Sequence, residues 1–342
     1  MESILNALPP QSIFHIAETT QVAAVRRSCG DLAARLDFDE TQAGRLAIVV
    51  TEAATNILKH GSSGDIIIRG LASAEGHAIE ILAIDHGQGI TNVNASLCDG
   101  VSTAGSSGTG LGAMQRLSAE FDIYSAPDKG TAIYMLVLQQ EGRMPVSSAR
   151  IGAICLPLPS EEVSGDAWAC RCDDTQISVI VADGLGHGPD ARAAALPAIG
   201  LLQDGTPPRS PQMLIHAAHR ALRATRGAAV AAAELDLERN LLRYAGVGNI
   251  AAHLFADERW RQIMSHNGIV GHNMRNVQEF SFDWTVGAML ILHSDGLQTQ
   301  WDLAAYPGLE HRHPVLIAAI LFRDFSRKRD DVTIIVLQRT SS

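Results

Sequence analysis

Several absences narrow what this sequence can encode. Its 342 residues contain no apolar run of about 18, the length a membrane-crossing helix needs. The opening stretch MESILNALPPQ has no basic start, so a secretory leader is not expected and a cytoplasmic location is. Basic charge is scarce: 27 Lys and Arg face 37 Asp and Glu, for a net charge of -10. The one basic cluster, RDFSRKRD near the C-terminus, reads as a solvated helix end, and neither a nucleic-acid nor a membrane partner is expected. Five cysteines, at 29, 98, 155, 170 and 172, form no C-x-x-C pair, which argues against zinc clusters and a disulfide framework. Cys170 and Cys172 sit two apart in a strand-like stretch and share a face, as reduced packing thiols. No repeat relates the two halves.

What is present is a soluble globular composition, 46% hydrophobic and 19% charged, with room for two domains. In the first half, TQVAAVRRSCGDLAARL and TQAGRLAIVVTEAATNILKH carry helical periodicity. GDIIIRGLAS and HAIEILAIDHG read as strands, and FDIYSAPDKGTAIYMLVLQ as a hairpin around Asp-Lys-Gly. QEGRMPVSSAR is polar, holds Gly and Pro, and reads as a linker. Beyond it short strands dominate (ISVIVADG, LLRYAGVGNIAAHLF, AMLILHSDG, DVTIIVLQ), with helices after 190 and after 210. The expected domains are therefore 1–139 and 151–342, joined by 140–150.

The second helix poses a question. Glu52, Asn56 and His60 recur every four residues among Ala53, Ala54, Ile57 and Leu58. A helix turns about 100° per residue, so the three form a polar stripe beside the apolar one. That stripe is either the wet side of an amphipathic helix or part of a site. Glycine motifs follow: DHGQGI (Asp85, Gly87, Gly89), then GTGLGAMQRL (Gly108, Thr109, Gly110, Leu111, Gly112) opening a helix, then KGTAI with Gly130 and Thr131. Glycines before a helix let backbone N–H groups approach phosphates, and the helix dipole favours them there. GTGLGA formally fits a dinucleotide fingerprint, but a polar loop precedes it where that motif needs a strand. In the second half, aspartates sit next to glycine at strand ends: Asp166, Asp183-Gly184, Asp295-Gly296, then Asp330 and Asp331. Any one alone is a turn residue. Together they supply the hard oxygen ligands that Mg²⁺ or Mn²⁺ requires.

The order E-x-x-x-N-x-x-x-H, D-x-G-x-G, G-T-G-L-G, G-T resembles the GHKL ATP-binding family. Within it, residues 15–138 are similar to the small serine kinases of bacterial partner switching, the RsbT and RsbW type. The resemblance implies that Asn56 holds Mg²⁺ against the phosphates of ATP and that Glu52 is the base accepting the substrate hydroxyl proton. It implies that Asp85 reads the adenine amino group, with Gly87 and Gly89 in its motif. Gly108, Thr109, Gly110, Leu111 and Gly112 would line the triphosphate, under a lid at 91–107. Thr131 and Thr109 are either turn residues or ligand contacts, and His60 either caps and packs or touches ligand.

The order G-D, V-A-D-G-x-G-x-G, S-D-G, D-D-V-T, with YAGVGNI and HNGIVG between, resembles the metal-dependent serine/threonine phosphatases (PPM) over about 150–339, in their SpoIIE and RsbX-like branch. This implies two or more Mn²⁺ or Mg²⁺ ions. Asp183 would bridge them, Gly184 would lend a carbonyl, and Asp295 and Asp330 would complete the first. Asp166 and Asp331 would hold metal-bound waters or a further ion, and His187 would either donate to a leaving oxygen or take a supporting place in the GLGHG turn. The expected fold is α+β in two domains: a GHKL (Bergerat) α/β sandwich, then a PPM-type β-sandwich flanked by helices. The implied function is a bifunctional switch that writes and erases phosphate on Ser or Thr of a STAS-type antagonist. Such a switch would control a stress or sigma-factor response, with a sigma factor or another regulator as a further partner. The alternative makes the N-terminal half a non-catalytic, anti-sigma-like module that binds ATP and a partner and regulates the phosphatase.

Overall fold

The structure is a computed structural model that describes residues 6–7, 10–73, 76–97, 110–141, 149–173, 175–203 and 210–340. Contacts gather the chain into two compact units. One comprises residues 7–145 together with 302–323; the other comprises 1–6, 146–301 and 324–342. The grouping therefore departs from chain order once, at 302–323.

The unit containing residues 7–145 is built on a six-stranded sheet. Its elements in order are β1 (Asn6–Ala7), β2 (Ser12–Ile16), α1 (Thr19–Arg35), α2 (Glu40–Asn56), β3 (Gly64–Ser73), β4 (Gly76–Asp85), α3 (Val93–Leu97), α4 (Gly110–Leu117), β5 (Glu120–Ser125) and β6 (Thr131–Leu138). The strands run in the order β1-β3-β4-β6-β5, with β2 also on β3. Alternate strand residues (Ile66, Ile68, Ile79, Ile81, Ile133, Met135) pack against Val25, Leu32, Leu46, Val49 and Ala53 of α1 and α2. Asp39 caps α2, its Oδ1 accepting from the Gln42 N–H at 2.7 Å. The sequence reads the second helix as continuous through His60. Instead the α-helix ends at Asn56 and widens into a π-turn, Ile57–Gly61, closed by Ser62 at φ 62°. The polar stripe is therefore Glu52 and Asn56 alone, with His60 swung onto the exposed turn. Single π-turns of this kind recur at functional sites.

The opposite face of this sheet is buried as well: Ile67, Leu82, Ile84, Ala132, Tyr134 and Leu136 are at most 4% exposed. Residues 302–323 lie within the same unit and make contacts along β5 and β6. The His313 ring stacks on Tyr134 at 4.2 Å. The His313 N–H donates to Asp122 at 2.7 Å, and Arg312 donates to the same carboxylate.

The other unit is a sandwich. Along residues 149–339 the elements are β7 (Ala149–Leu156), β8 (Asp166–Cys172), β9 (Gln176–Gly184), α5 (Gly188–Gln203), α6 (Pro211–Ala221), β10 (Ala228–Asp236), β11 (Leu241–Val247), β12 (Ala251–Ala256), β13 (Arg259–Ile263), β14 (Gly268–Ile269), β15 (Asn273–Met274), β16 (Phe280–Asp283), β17 (Met289–His293), α7 (Pro314–Phe325) and β18 (Val332–Arg339). All of α7 up to Arg323 belongs to the unit described first. Two five-stranded sheets, β16-β11-β10-β9-β8 and β13-β12-β17-β18-β7, pack around Val179, Val181, Leu242, Tyr244, Leu254, Trp284, Leu290 and Ile335. α5 and α6 cover the outer face of the first sheet through Ala195, Ile199, Leu214 and Ile215. The apolar stretch LLRYAGVGNIAAHLF is two strands, β11 and β12, in different sheets. The turn at Gly248-Asn249 carries the chain across the sandwich end. Among the described residues no helix is long and apolar enough to cross a membrane.

Candidate functional site

Each unit assembles its own group of polar side chains. In the first, Glu52 and Asn56 are one turn apart on α2 and half-buried. Gly110 opens α4 directly over them. A Cβ at Gly110 would lie 2.8 Å from Glu52 Oε2 and 3.6 Å from Asn56 Oδ1, so a side chain there would displace the Glu52 carboxylate. Leu111 packs against the core below and Gly112 is buried on the same turn. Gly108, Thr109 and most of the expected lid lie outside the described residues.

The π-turn leads from Asn56 to Asp85. A Cβ at Gly61 would fall 2.6 Å from the Asp85 Cβ. Asp85 ends β4, and its Oδ1 accepts from the Gly87 N–H at 2.7 Å and the Thr131 N–H at 3.2 Å. Burial pushes this carboxyl up, while those two N–H groups, Arg323 and His86 act against the shift. The Thr131 hydroxyl pairs with Ser125 Oγ at 2.9 Å, which also accepts from the Ile90 N–H. Gly89 lies at the Ala126 turn beside them. Asp85, Gly87 and Thr131 therefore form one hydrogen-bonded cluster, and Glu52, Asn56 and Gly110 another, with the π-turn between them.

In the second unit the aspartates gather at one end of the sandwich. Asp166 and Asp183 are cross-strand partners on β8 and β9. Asp295 follows β17 and Asp330 precedes β18, strands that are neighbours. A Cβ at Gly296 would lie 1.9 Å from the Asp331 carbonyl, so glycine after Asp295 lets the two strand ends meet. Asp183 is pushed up by burial first, then by the charges of Asp166, Asp295 and Asp330. Asp166 is also raised, by burial and then by Asp331 and Asp295, with Ser294 and Thr333 working the other way. Its Oδ2 is buried without a hydrogen-bond partner. Gly184 packs against the Ala191 carbonyl of α5.

Two further residues take particular places. Asp331 gives one oxygen to the Leu158 N–H and the other to the Gly165 N–H, both at 2.8 Å, and so ties the loop before β8 to the start of β18. His187 is exposed and pairs with Glu161 at 2.6 Å. Asn249 was not singled out by sequence reasoning. Its Nδ2 donates to Asp295 Oδ2 at 2.8 Å, and its amide also bonds Asp183. The signal was the break in YAGVGNI, where Gly248 takes φ 102° between two apolar strands.

Among the described residues no three His, Cys, Asp or Glu side chains form a ready-made metal cage. The fit to a hard divalent cation rests on the oxygen-only donors, the orphaned Asp166 Oδ2 and the mutual field of four carboxylates.

Comparison with known proteins follows the same division. Residues 16–137 match the histidine kinase-like ATPase domain, and residues 173–340 match the stage II sporulation protein E (SpoIIE) domain. The serine/threonine-protein kinase RsbT of Bacillus subtilis (strain 168) is 32% identical over 123 residues, 36% of this chain and 92% of that protein. The chain belongs to the histidine kinase-like ATPase family, and its second half carries a SpoIIE domain match. The phosphoserine phosphatase RsbX of the same strain is 24% identical over 139 residues, 40% of this chain and 69% of that protein. A crystal structure of RsbX in complex with magnesium superposes with a TM-score of 0.50 at 21% identity. It covers 57% of this chain and 97% of that one, and shows the shared fold. Residues 173–340 thus carry a SpoIIE phosphatase-like domain, joined to a kinase-like ATPase half. The SpoIIE match includes residues 302–323, which fold with the ATPase unit.

Proposed function

We propose that this chain switches a protein partner by two opposed reactions. The SpoIIE half removes phosphate from a serine or threonine of a small STAS-type antagonist, and the ATPase half restores it from ATP. The observation that carries this reading is that one chain keeps both sets of groups. Glu52 and Asn56 stand together under Gly110, and Asp166, Asp183, Asp295 and Asp330 converge with Asn249.

In the ATPase half, Asp85 accepts a hydrogen bond from the adenine amino group, Asn56 offers a neutral oxygen to Mg²⁺, and Glu52 orients the attacking hydroxyl and takes its proton. Phosphoryl transfer asks a protein mainly for this positioning. In the phosphatase half, Asp183, Asp295, Asp330 and the Gly184 carbonyl hold Mn²⁺ or Mg²⁺. Asp166 lends its free oxygen, and Asp331 holds the loop that carries Asp166. When bound, such ions polarise a water and neutralise phosphate charge. The protein's own part is to fix the carboxylates at strand ends that cannot move apart.

The test uses the full chain with a small STAS protein as candidate partner, supplied phosphorylated and unphosphorylated, and follows phosphate by intact mass. Asp183→Asn with ATP should accumulate phosphorylated partner, and Glu52→Ala with Mn²⁺ should only clear it. If Asp183→Asn adds no phosphate, the ATPase half acts as a regulatory module and the write-and-erase reading fails.

A further inference from the structure

The hydrogen-bonded cluster around Asp85 includes a residue that none of the motifs DHGQGI, GTGLG or KGTAI contains. Arg323 lies near the end of α7, within the stretch matched by the SpoIIE domain, and folds with the ATPase unit. Its Nη1 donates to the Asp85 backbone carbonyl at 2.9 Å. The β4–β6 ladder ends at the Ile84–Ala132 pair, and the next N–H, that of Thr131, goes to the Asp85 side chain instead. The Asp85 carbonyl therefore has no ladder partner on that side, and a buried carbonyl must find one elsewhere. Arg323 is that partner. Both residues are buried, at 9% and 7% exposure, and a buried guanidinium is costly unless its geometry is used. Space has been left for it: a Cβ at Gly130 would lie 2.1 Å from the Asp85 carbonyl and 3.0 Å from Arg323 Nη1.

We propose that Arg323 is a positioning residue of the adenine site, holding the end of β4 so that the Asp85 carboxylate meets the adenine amino group. This rests on the reading that the ATPase half binds ATP through Asp85. It means the nucleotide site is completed by the SpoIIE-matching sequence, in a stretch that leaves β17 just past Asp295 and returns just before Asp330. Backbone bonds from the Gln298 N–H to the Phe325 carbonyl (2.9 Å) and from the Arg327 N–H to the Gly296 carbonyl (2.8 Å) clip its two ends together.

The experiment measures binding of the non-hydrolysable analogues AMP-PNP and GMP-PNP, each with Mg²⁺, to the full-length protein by calorimetry. Wild type should prefer the adenine analogue. Arg323→Met should weaken AMP-PNP about tenfold, the loss of one buried hydrogen bond to a fixed strand end, and leave GMP-PNP unchanged. Arg323→Lys, which keeps a donor and the charge, should recover part of the preference. General destabilisation would weaken both analogues together, so the ratio separates positioning from damage, and the Lys variant serves if Met does not fold. Wild-type selectivity in both variants overturns the proposal while leaving the ATP-binding reading intact. A wild-type protein with no adenine preference overturns the Asp85 reading itself, and this inference with it.

Discussion

The two sites gather polar groups by opposite means. In the ATPase unit Glu52 and Asn56 stand on a helix, half-exposed, and the crowding is steric: the start of α4 at Gly110 lies against the Glu52 carboxylate. In the phosphatase unit the groups sit at the ends of strands in two packed sheets, and the crowding is electrostatic: after burial, the charges of Asp166, Asp295 and Asp330 push the Asp183 carboxyl up. On the function proposed above, the ATPase site takes a ligand that brings its own phosphates and ion, and the phosphatase site takes cations first and substrate second. Losing a charge should matter more in the second, and losing a shape more in the first.

The largest expected effect tests that difference directly. Asp183→Asn should lower Mn²⁺-dependent turnover of p-nitrophenyl phosphate by more than about a hundredfold, beyond the range of a supporting residue. EDTA should abolish the wild-type rate. Activity that survives thorough chelation would mean the carboxylates serve another chemistry. Melting without metal should show Asp183→Asn at least as stable as wild type, because the substitution removes one of several repelling charges.

Next comes the helix pair. Glu52→Ala should keep Mg²⁺-ATP binding and reduce phosphoryl transfer about a hundredfold, the low end for loss of a general base. Asn56→Ala should lose Mg²⁺-ATP binding itself. Calorimetry on both variants reads the split, and an Asn56→Ala protein that binds Mg²⁺-ATP normally would undo the assignment.

Asn249→Ala should cost between about tenfold and a hundredfold in phosphatase rate, as residues that orient metal-binding carboxylates do. Added Mn²⁺ should restore part of it, since the carboxylates themselves remain. An unchanged rate would show that Asn249 only closes its turn.

Asn249 also marks where the sequence stopped being legible. Motifs with fixed spacing, such as SDG or E-x-x-x-N, carry their geometry locally, and their order along the chain carried the resemblance from which both folds followed. The Asn249 contact could not be read that way, because it depends on β11 and β12 lying in different sheets, and one apolar run does not reveal a change of sheet. The π-turn after Asn56 was hidden for a related reason. Periodicity suggested α-helix through His60, while close approaches at Gly61 and Gly64, against Asp85 and the Ile84 carbonyl, accompany the wider turn. Residues 302–323 were hardest to place, because α7 is apolar on every side and its partners lie far away in the chain.

The smallest effect concerns the scaffolds. α2 carries the ATPase pair and begins at Asp39, whose carboxylate accepts from Gln42 at 2.7 Å. α6, which carries no candidate site residue, begins at Ser210, whose hydroxyl accepts from Met213 at a longer 3.3 Å. A charged, short cap next to the helix dipole should stabilise more than a neutral, long one. Asp39→Ala should therefore cost about 1 kcal/mol in urea unfolding and Ser210→Ala about half that, both within the range for caps. Neither variant should change phosphatase rate, since neither residue touches the aspartates. Their effect on nucleotide binding is the informative part. If α2 is held mainly by its buried face, Ala53, Val49 and Leu46 against the sheet, Asp39→Ala binds Mg²⁺-ATP like wild type. If binding weakens along with stability, the helix start is part of the site's rigidity, and the ATPase site is the softer of the two.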